Sequence, residues 1–329
     1  RRRIRDPRLT FELHTVGTSS KTDVCICYVR DLVDERILKK VQEKIDAIHQ
    51  DTLTVGDQSL VEAIGKSSWL NPFPKVRYTQ RPDVVAAHLT EGKLAVLIDN
   101  SPTAIMIPTC IFDFVQDTDD YYFPLLTGNY FRLLRIANML AVIFLTPVYY
   151  LMAVGDIPVA PRLQFFFPDS GYSMPLIAQF LLLEFAIDGL KLASLNTPSS
   201  LGTSLSVVGA LILGQFAVDS GWFIPQTILC MAVLALAGFT QPSIELGYAI
   251  KFMRVLILIG AAVLGLWGAL AALAIDIFIL ARTKNIVGTS YLYPLVPFRW
   301  EVLRQLILRT RKREQAGKKP NMPDDPAKM

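Results

Sequence analysis

Long apolar runs without charged residues fill much of the second half of the chain. They cover residues 136–155, 192–218, 220–244 and 255–275. Each run has about the 20 residues that a helix needs to cross roughly 30 Å of hydrocarbon. Because the core of a soluble domain rarely supplies four such runs, the pattern predicts an all-α polytopic membrane domain over residues 129–285.

Residues 1–128 have a different pattern, in which strand-like and helix-like segments alternate. The strand-like segments include LTFELHTV, DVCICYV and KLAVLID. In DERILKKVQEKIDAIH the apolar residues recur every three or four positions, and RPDVVAAHLTEG predicts a second helix with Pro82 in its first turn. This alternation predicts a soluble α/β cytosolic domain. The first residue is Arg1, so we expect the chain to be a piece of a longer one.

Three charges interrupt the apolar pattern between residues 174 and 195. Glu184, Asp188 and Lys191 are spaced i, i+4, i+7, so they share one face of a helix. A charge at membrane depth costs roughly 2.5 to 3.5 kcal/mol and normally faces a bundle interior or water. Three interpretations are open: an amphipathic helix on the membrane surface, a helix that lines a water-filled path, and a structural salt bridge between the acids and Lys191.

The basic ends of the chain favour one topology. RRRIR opens the chain, and RTRKR follows the last apolar segment, which we place at residues 252–281. Positive residues beside spans are typical of the cytoplasmic side, so both ends are predicted there and the number of crossings is even. Counting every hydrophobic segment gives five. We therefore predict about four spans plus an amphipathic helix at 174–195.

The segment that leads into the first span is polar. Asp117, Asp119 and Asp120 predict a solvated linker, with a cation site as the alternative. Tyr121-Tyr122 suit the membrane interface, and Arg132 marks the cytoplasmic end of the first span.

The composition excludes some classes of protein. The 329 residues are 52% hydrophobic with a net charge of +4. Basic runs beside a membrane domain are explained by topology, so we expect no nucleic-acid partner. Residues 286–329 form a basic cytoplasmic tail with an amphipathic helix in FRWEVLRQLILRTRKR. Each basic residue near the surface attracts anionic lipid by about 1 kcal/mol, so we expect anionic lipid at this tail.

No pattern of catalytic or metal-binding residues stands out. The four cysteines, at positions 25, 27, 110 and 230, have no disulfide or metal-ligand spacing. The sequence contains no Walker A loop, no G-x-G-x-x-G after a strand, and no Ser/His/Asp set at a motif spacing. We expect neither an enzyme nor a cofactor.

Several long motifs resemble one family. RRRIRDPRLTFELHTVGTSSKTDV, TQRPDVVAAHLTEGKLAVLIDNSP, LNTPSSLGTSLSVVGALILGQFAV, PSIELGYAIKFMR and YPLVPFRWEVL are similar to the GerA spore-germination A-subunit family. The resemblance covers essentially residues 1–310. Within the family, SLNTP and the tail after the last span are more similar to a stage V sporulation branch than to a nutrient-receptor A subunit.

The resemblance implies a protein of the spore inner membrane, with its N-terminal domain and C-terminal tail on the core side. Family members are thought to form oligomeric, pentameric channels that release monovalent cations early in germination. The branch would pair with a small membrane partner and amplify ion release after nutrient receptors respond. The alternatives are an A subunit that works with receptor B and C subunits, and a non-conducting scaffold. The family also has an N-terminal subdomain upstream of the part seen here.

The resemblance turns the charged stripe into candidates for an ion path. Acidic rings in an oligomer attract cations, which favours Glu184 and Asp188. Gln215, Asp219 and Glu245 are second-rank candidates for the same path. The small residues in the run 201–218 predict close helix packing; they are Gly202, Ser206, Gly209 and Gly214. Lys191 would repel cations, so it is predicted to hold one of the acids or to reach the helix end.

Overall fold

A computed structural model describes residues 1–65, 71–167, 173–196 and 218–308. The chain divides into two compact units. One contains residues 1–133 together with the chain from 279 onward, and the other contains residues 134–278. The described residues of the predicted tail, 286–308, therefore belong to the same unit as the N-terminal domain.

The first unit is built on an antiparallel five-stranded sheet in the order β1-β2-β4-β5-β3. The strands are β1 (Leu9–Val16), β2 (Thr22–Val29), β3 (Arg77–Thr79), β4 (Leu94–Ile98) and β5 (Ala104–Ile107). This sheet with its helices confirms the predicted α/β class of the N-terminal domain.

Nine α-helices lie in the described residues. They are α1 (Glu35–Asp46), α2 (Gly56–Ile64), α3 (Pro82–Thr90), α4 (Ile111–Val115), α5 (Leu125–Val154), α6 (Leu176–Asn196), α7 (Pro225–Phe239), α8 (Ile244–Arg282) and α9 (Trp300–Ile307). Local signals begin two of them. Asp34 caps the start of α1, where its carboxylate accepts a hydrogen bond from the Arg36 backbone N–H. Pro82 lies in the first turn of α3, as predicted.

Both faces of the sheet bury apolar side chains. Since successive side chains of a strand point to opposite faces, Val24 and Ile26 of β2 pack with α1 and α2, whereas Cys27 packs with Leu89 of α3. The amphipathic pattern of α1 places Ile37, Val41 and Ile45 in the first of these cores.

The segment after α8 completes the first unit. Ile286 and Val287 belong to the same buried cluster as the strands and α1. The ring of Tyr291 is fully buried and lies 6.0 Å from the ring of Phe73. The Asn285 side chain donates a hydrogen bond of 3.2 Å to the carbonyl of Thr109. Residues from both sides of the hydrophobic region thus share one core.

A buried arginine organises the start of α5 within this unit. Arg132 Nε lies 3.3 Å from Asp120 Oδ2, and both side chains are almost fully buried. Arg132 Nη1 donates to the carbonyl oxygen of Leu306 at 3.2 Å, and its guanidinium lies 5.0 Å from the centre of the Tyr121 ring. The solvated-linker interpretation is therefore wrong for Asp120, because Arg132 supplies its counter-charge inside the unit.

The helical unit contains two helices, among the described residues, that are long and apolar enough to cross a membrane. They are α5, with 30 residues, and α8, with 39, and α7 is a shorter apolar helix. The first residues of the predicted run 192–218 form the end of α6, which stops at Asn196. Residues 197–217 lie outside the described part of the chain. The predicted count of about four spans is not confirmed.

Helix α8, which contains the span predicted at 252–281, is broken near its middle. Leu264 and Gly265 have non-helical backbone angles, and Gly265 has a φ of +61°. A Cβ built on Gly260 would lie 3.0 Å from the Cβ of Ala272. In a straight helix, residues twelve apart are separated by about 18 Å. The two halves of α8 therefore fold back against each other as a hairpin.

A buried ion pair fixes α4 to the sheet. Lys93 Nζ lies 2.6 Å from Asp113 Oδ1, and the Cys110 backbone N–H donates to Asp113 Oδ2 at 2.8 Å. Burial alone would raise the pKa of the Asp113 carboxyl, but Lys93, His88 and the Cys110 backbone N–H together outweigh it, and the pKa falls to about 2. The ionised pair is thus part of the folded state at neutral pH.

Truncation of the returning segment should destabilise the first unit. Ile286→Ala removes buried methyl groups, so we expect a loss of about 2–5 kcal/mol, seen as a lower thermal-unfolding midpoint of the full chain in detergent. Val296→Ala, at an exposed site of the same segment, is the matched control and should change little. Equal midpoints for the two variants would show that the segment is not part of the core.

The Lys93–Asp113 pair should give stability a defined pH dependence. Because the pKa of Asp113 is lowered in the folded chain, its ionised carboxylate stabilises the fold above about pH 4. This stabilisation is lost as the pH falls toward 2. Lys93→Met leaves a buried carboxylate without its cation, so we expect a loss on the order of 3 kcal/mol at pH 7, part of which returns as the pH is lowered toward 5. Thermal unfolding over this pH range measures it, with exposed Lys39→Met as control. A variant with the pH profile of the natural chain would contradict the assignment.

Candidate functional site

The acids of the predicted charged stripe meet two basic residues of α8. Arg254 Nη2 bonds to Glu184 Oε1, and Lys251 Nζ bonds to Asp188 Oδ2. Lys251 Nζ also lies 3.7 Å from Glu184 Oε2. The acids are four residues apart on α6 and the bases three apart on α8, so each helix presents its pair on one face. We call these four residues the ion-pair cluster.

Burial differs along the ion-pair cluster. The side chains of Glu184 and Arg254 are only 9% and 6% exposed, whereas that of Asp188 is 34% exposed. Arg254 Nη1 also donates to the carbonyl oxygen of Val142 in α5, at 3.2 Å. A buried charge is tolerated only when it is paired and hydrogen-bonded. The Arg254 guanidinium therefore joins α5, α6 and α8 at one point.

The cluster changes what the stripe can do electrostatically. Two carboxylates face two cations, so its formal charge is zero. Glu184 is paired and buried, and Asp188 is the acid of the cluster that reaches the surface. Lys191 Nζ lies 5.8 Å from the ring centre of Phe239 and 5.6 Å from that of Tyr248, within reach of a cation–π interaction.

Two residues of the cluster were not among the predicted site residues. Lys251 and Arg254 stand directly before the charge-free run 255–275. Lys251 and Arg254 are spaced i, i+3 and therefore share one helix face, as the two acids do. This shared face was the signal in the sequence that could have indicated the pairing. The distance in sequence, 63 residues between Asp188 and Lys251 and 70 between Glu184 and Arg254, hides the pairing.

The other predicted ion-path residues lie elsewhere. Glu245 is in the first turn of α8, and Asp219 lies at the end of a helical segment just before the turn at residue 220. Both side chains are exposed, and neither belongs to the ion-pair cluster. Some predictions fall outside the described residues; they are Gln215 and the small residues Gly202, Ser206, Gly209 and Gly214. The ion-path and packing roles of all these residues stay predictions.

A second polar contact holds the N-terminal end of α6. Gln179 is fully buried, and its Oε1 accepts hydrogen bonds from the Ile224 backbone N–H at 3.1 Å and the Thr227 hydroxyl at 3.0 Å. Its Nε2 donates to the Met174 carbonyl at 2.9 Å. This lone amide in an apolar run was not predicted to matter, although a buried amide needs partners. It fastens the start of α7 to α6.

One further acid of this unit is buried. Asp276, in the second half of the α8 hairpin, is 4% exposed, and its Oδ2 has no hydrogen-bond partner among the described residues. No group of three or more His, Cys, Asp or Glu in the described part of the chain is arranged to hold a metal ion. The candidate site in the described residues is therefore the ion-pair cluster between α6 and α8.

The Glu184–Arg254 pair should be strongly coupled in stability. Arg254→Met removes the closer of the two cations from the buried Glu184 carboxylate and leaves only Lys251 at 3.7 Å, so we expect a loss of about 3 kcal/mol. Glu184→Met combined with Arg254→Met should cost much less than the sum of the single changes. Thermal unfolding in detergent measures this cycle. Glu245→Met, at an exposed position, is the control. Additive single and double effects would show that the pair is not formed.

Comparison with known proteins gives a consistent family. Stage V sporulation protein AF of Bacillus subtilis (strain 168) is 36% identical over 312 residues, covering 95% of this chain and 63% of that protein. Spore germination protein GerQA of Bacillus cereus is 30% identical, covering 91% and 60%. The protein YfkQ of Bacillus subtilis, named an uncharacterized membrane protein, is 27% identical, covering 93% and 60%. The chain thus spans about three fifths of the length of these relatives.

Among solved structures, the N-terminal domain of the A subunit of the Bacillus megaterium spore germinant receptor GerK3 is 30% identical. The match covers 32% of this chain and 82% of the GerK3 domain, with a TM-score of 0.24. The family model of the Bacillus/Clostridium GerA spore germination protein matches residues 1–322. Nearly the whole chain is matched, and the chain therefore belongs to the GerA family of spore germination proteins.

Proposed function

We propose that this chain is a subunit of an oligomeric ion channel in the spore inner membrane, which releases monovalent cations during germination and amplifies the response to nutrient receptors. The observation that carries the proposal is the ion-pair cluster inside an otherwise apolar helical unit. Ionisable residues within membrane helices normally face a bundle interior or a water-filled cavity and mark ion paths. Membership of the GerA family supplies the germination role.

The surface of the helical unit supports a membrane and oligomeric setting. Large apolar side chains are exposed on each helix that the structure describes in this unit, among them Phe185, Leu236, Phe252, Val263 and Trp267. Contiguous apolar surface of this kind marks contact with lipid or with other protein surfaces. A bundle of such subunits would cover part of this surface with neighbouring copies and the rest with lipid.

The first unit supports the predicted topology. The residues that flank the helical unit, 133 before it and 279 after it, both belong to the first unit. A compact unit lies on one side of a membrane, so the helical unit would cross it an even number of times. This supports a core-side position for both the N-terminal domain and the C-terminal residues, as expected from the basic ends of the chain.

The two acids would have different roles in the proposed channel. Glu184 is neutralised by Arg254 and would position α6 against α5 and α8. Asp188 is half-exposed and would face the ion path, where acidic side chains favour cations. Glu245, Asp219 and Gln215 remain second-rank candidates. The partner would be a small membrane protein or, for a nutrient-receptor A subunit, the B and C subunits.

Two alternatives follow from the same family. An A subunit of a nutrient germinant receptor is supported by relatives named spore germination proteins, such as KA of Bacillus subtilis at 28% identity. A non-conducting scaffold is the second alternative, in which the ion-pair cluster only holds helices together. A scaffold predicts that ion flux is absent, which separates it from the proposed channel, whereas a receptor A subunit would act together with its B and C subunits.

Ion flux tests the proposal directly. We expect potassium-loaded proteoliposomes that contain the full chain to lose potassium faster than protein-free vesicles. Asp188→Asn should lower this rate about tenfold, since it removes the more accessible acid of the cluster. Glu35→Gln, which removes an exposed acid from α1 of the other unit, is the matched control and should conduct normally.

Two results would count against parts of the proposal. Absence of flux at every protein-to-lipid ratio, with normal incorporation, would contradict a channel formed by this chain and favour a scaffold or a receptor subunit. Equal flux from Asp188→Asn and Glu35→Gln would remove Asp188 from the ion path while leaving the channel intact.

A further inference from the structure

Exposed aromatic side chains gather at two places in the first unit. Tyr121, Phe123 and Tyr130 surround the start of α5, and Phe298 and Trp300 lie at the start of α9; these five are between 39% and 64% exposed. The rings of Phe298 and Trp300 are 6.4 Å apart. Large aromatic residues on a surface indicate contact with another phase or molecule.

The two groups belong to one region of the unit. The Leu306 carbonyl of α9 accepts hydrogen bonds from Arg132 and Gln116, each at 3.2 Å. Arg132 in turn stacks over the Tyr121 ring. Since a helix rises 1.5 Å per residue, Trp300 lies about 9 Å along α9 from Leu306. We call Tyr121, Phe123, Tyr130, Phe298, Trp300 and Arg304 the aromatic patch.

The orientation of α9 differs from that of a helix that lies with its apolar face on a membrane. Leu303 is buried, and Leu306 and Ile307 are partly buried, so the apolar face packs against the protein. Trp300 and Arg304 are exposed and lie four residues apart on α9, so they share its outward face. The outward face thus combines an indole ring with a cation.

We propose that the aromatic patch lies in the headgroup layer of an anionic bilayer, on the leaflet where α5 enters. The start of α5 lies within the patch, and the same helix continues as a candidate span, so chain continuity places the patch at the surface of any membrane that α5 crosses. Trp and Tyr concentrate at membrane interfaces. Arg304 adds a cation that anionic headgroups attract.

The geometry gives this contact a route to the first span. Arg132 holds α9 through Leu306 and the segment before α5 through Asp120. A shift of α9 relative to the lipid surface would therefore act on the first turns of α5. This inference concerns the lipid contact itself and holds whether or not the chain conducts ions.

Fluorescence quenching in nanodiscs tests the proposal with the full chain. A variant keeping only Trp300, with phenylalanine at positions 69, 222 and 267, is placed in discs of phosphatidylcholine and phosphatidylglycerol. We expect brominated lipid to quench Trp300 at least about twofold more strongly than a tryptophan placed at exposed Lys39 of α1, and acrylamide to quench it less. If the single-tryptophan chain fails to fold, the difference between the natural chain and Trp300→Phe gives the same quantity.

Other outcomes would overturn the proposal. Acrylamide quenching of Trp300 equal to that of the Lys39 probe, without quenching by brominated lipid, would show an aqueous surface. Shielding from both quenchers would show that protein covers the patch. In Arg304→Gln, we expect quenching of Trp300 by brominated lipid to fall in discs that contain phosphatidylglycerol and to stay unchanged in pure phosphatidylcholine. If the substitution changed the quenching equally in both disc types, the preference for anionic lipid would be overturned.

Discussion

The buried guanidinium of Arg254 sets the arrangement of the helical unit. A cation in apolar surroundings needs an anion and hydrogen-bond acceptors, because its desolvation costs several kcal/mol. Glu184 of α6 supplies the anion, and the Val142 carbonyl of α5 supplies an acceptor. Three helices distant in sequence must therefore meet at this point. Gln179 fastens α7 to the other end of α6, so α7 joins the same arrangement.

The ion-pair cluster and the first unit constrain function together. Both acids of the stripe are paired with cations, so the ion-pair cluster carries no net formal charge, and Asp188, at 34% exposure, is its more accessible acid. In the first unit, the chain returns after α8 to complete the core, and Arg132 connects that returning segment to the start of α5.

Local patterns were sufficient for much of the fold. Strand-like apolar segments identified β1, β2 and β4, the period-3.6 repeat identified α1, and Pro82 marked the first turn of α3, because these signals depend on neighbours within one element. The α8 break was missed because Gly265 stands in a run that contains other glycines, and a glycine does not by itself state which backbone conformation it adopts. The inward face of α9 was missed for a related reason: an apolar face needs a cover, but its pattern does not say whether lipid or protein provides it.

The sequence by itself determined the family, the α/β class of the N-terminal domain, the hydrophobic character of residues 129–285 and the shared face of Glu184 and Asp188. The tertiary structure alone decided which cations those acids meet, that Ile286 and Val287 join a core begun before residue 100, and that Asp120 is buried with Arg132. The physical reason is that each of these pairings, apart from the short-range one at Arg132, joins residues far apart in the chain. A charge or an apolar side chain requires a partner, but only the packed chain chooses which one.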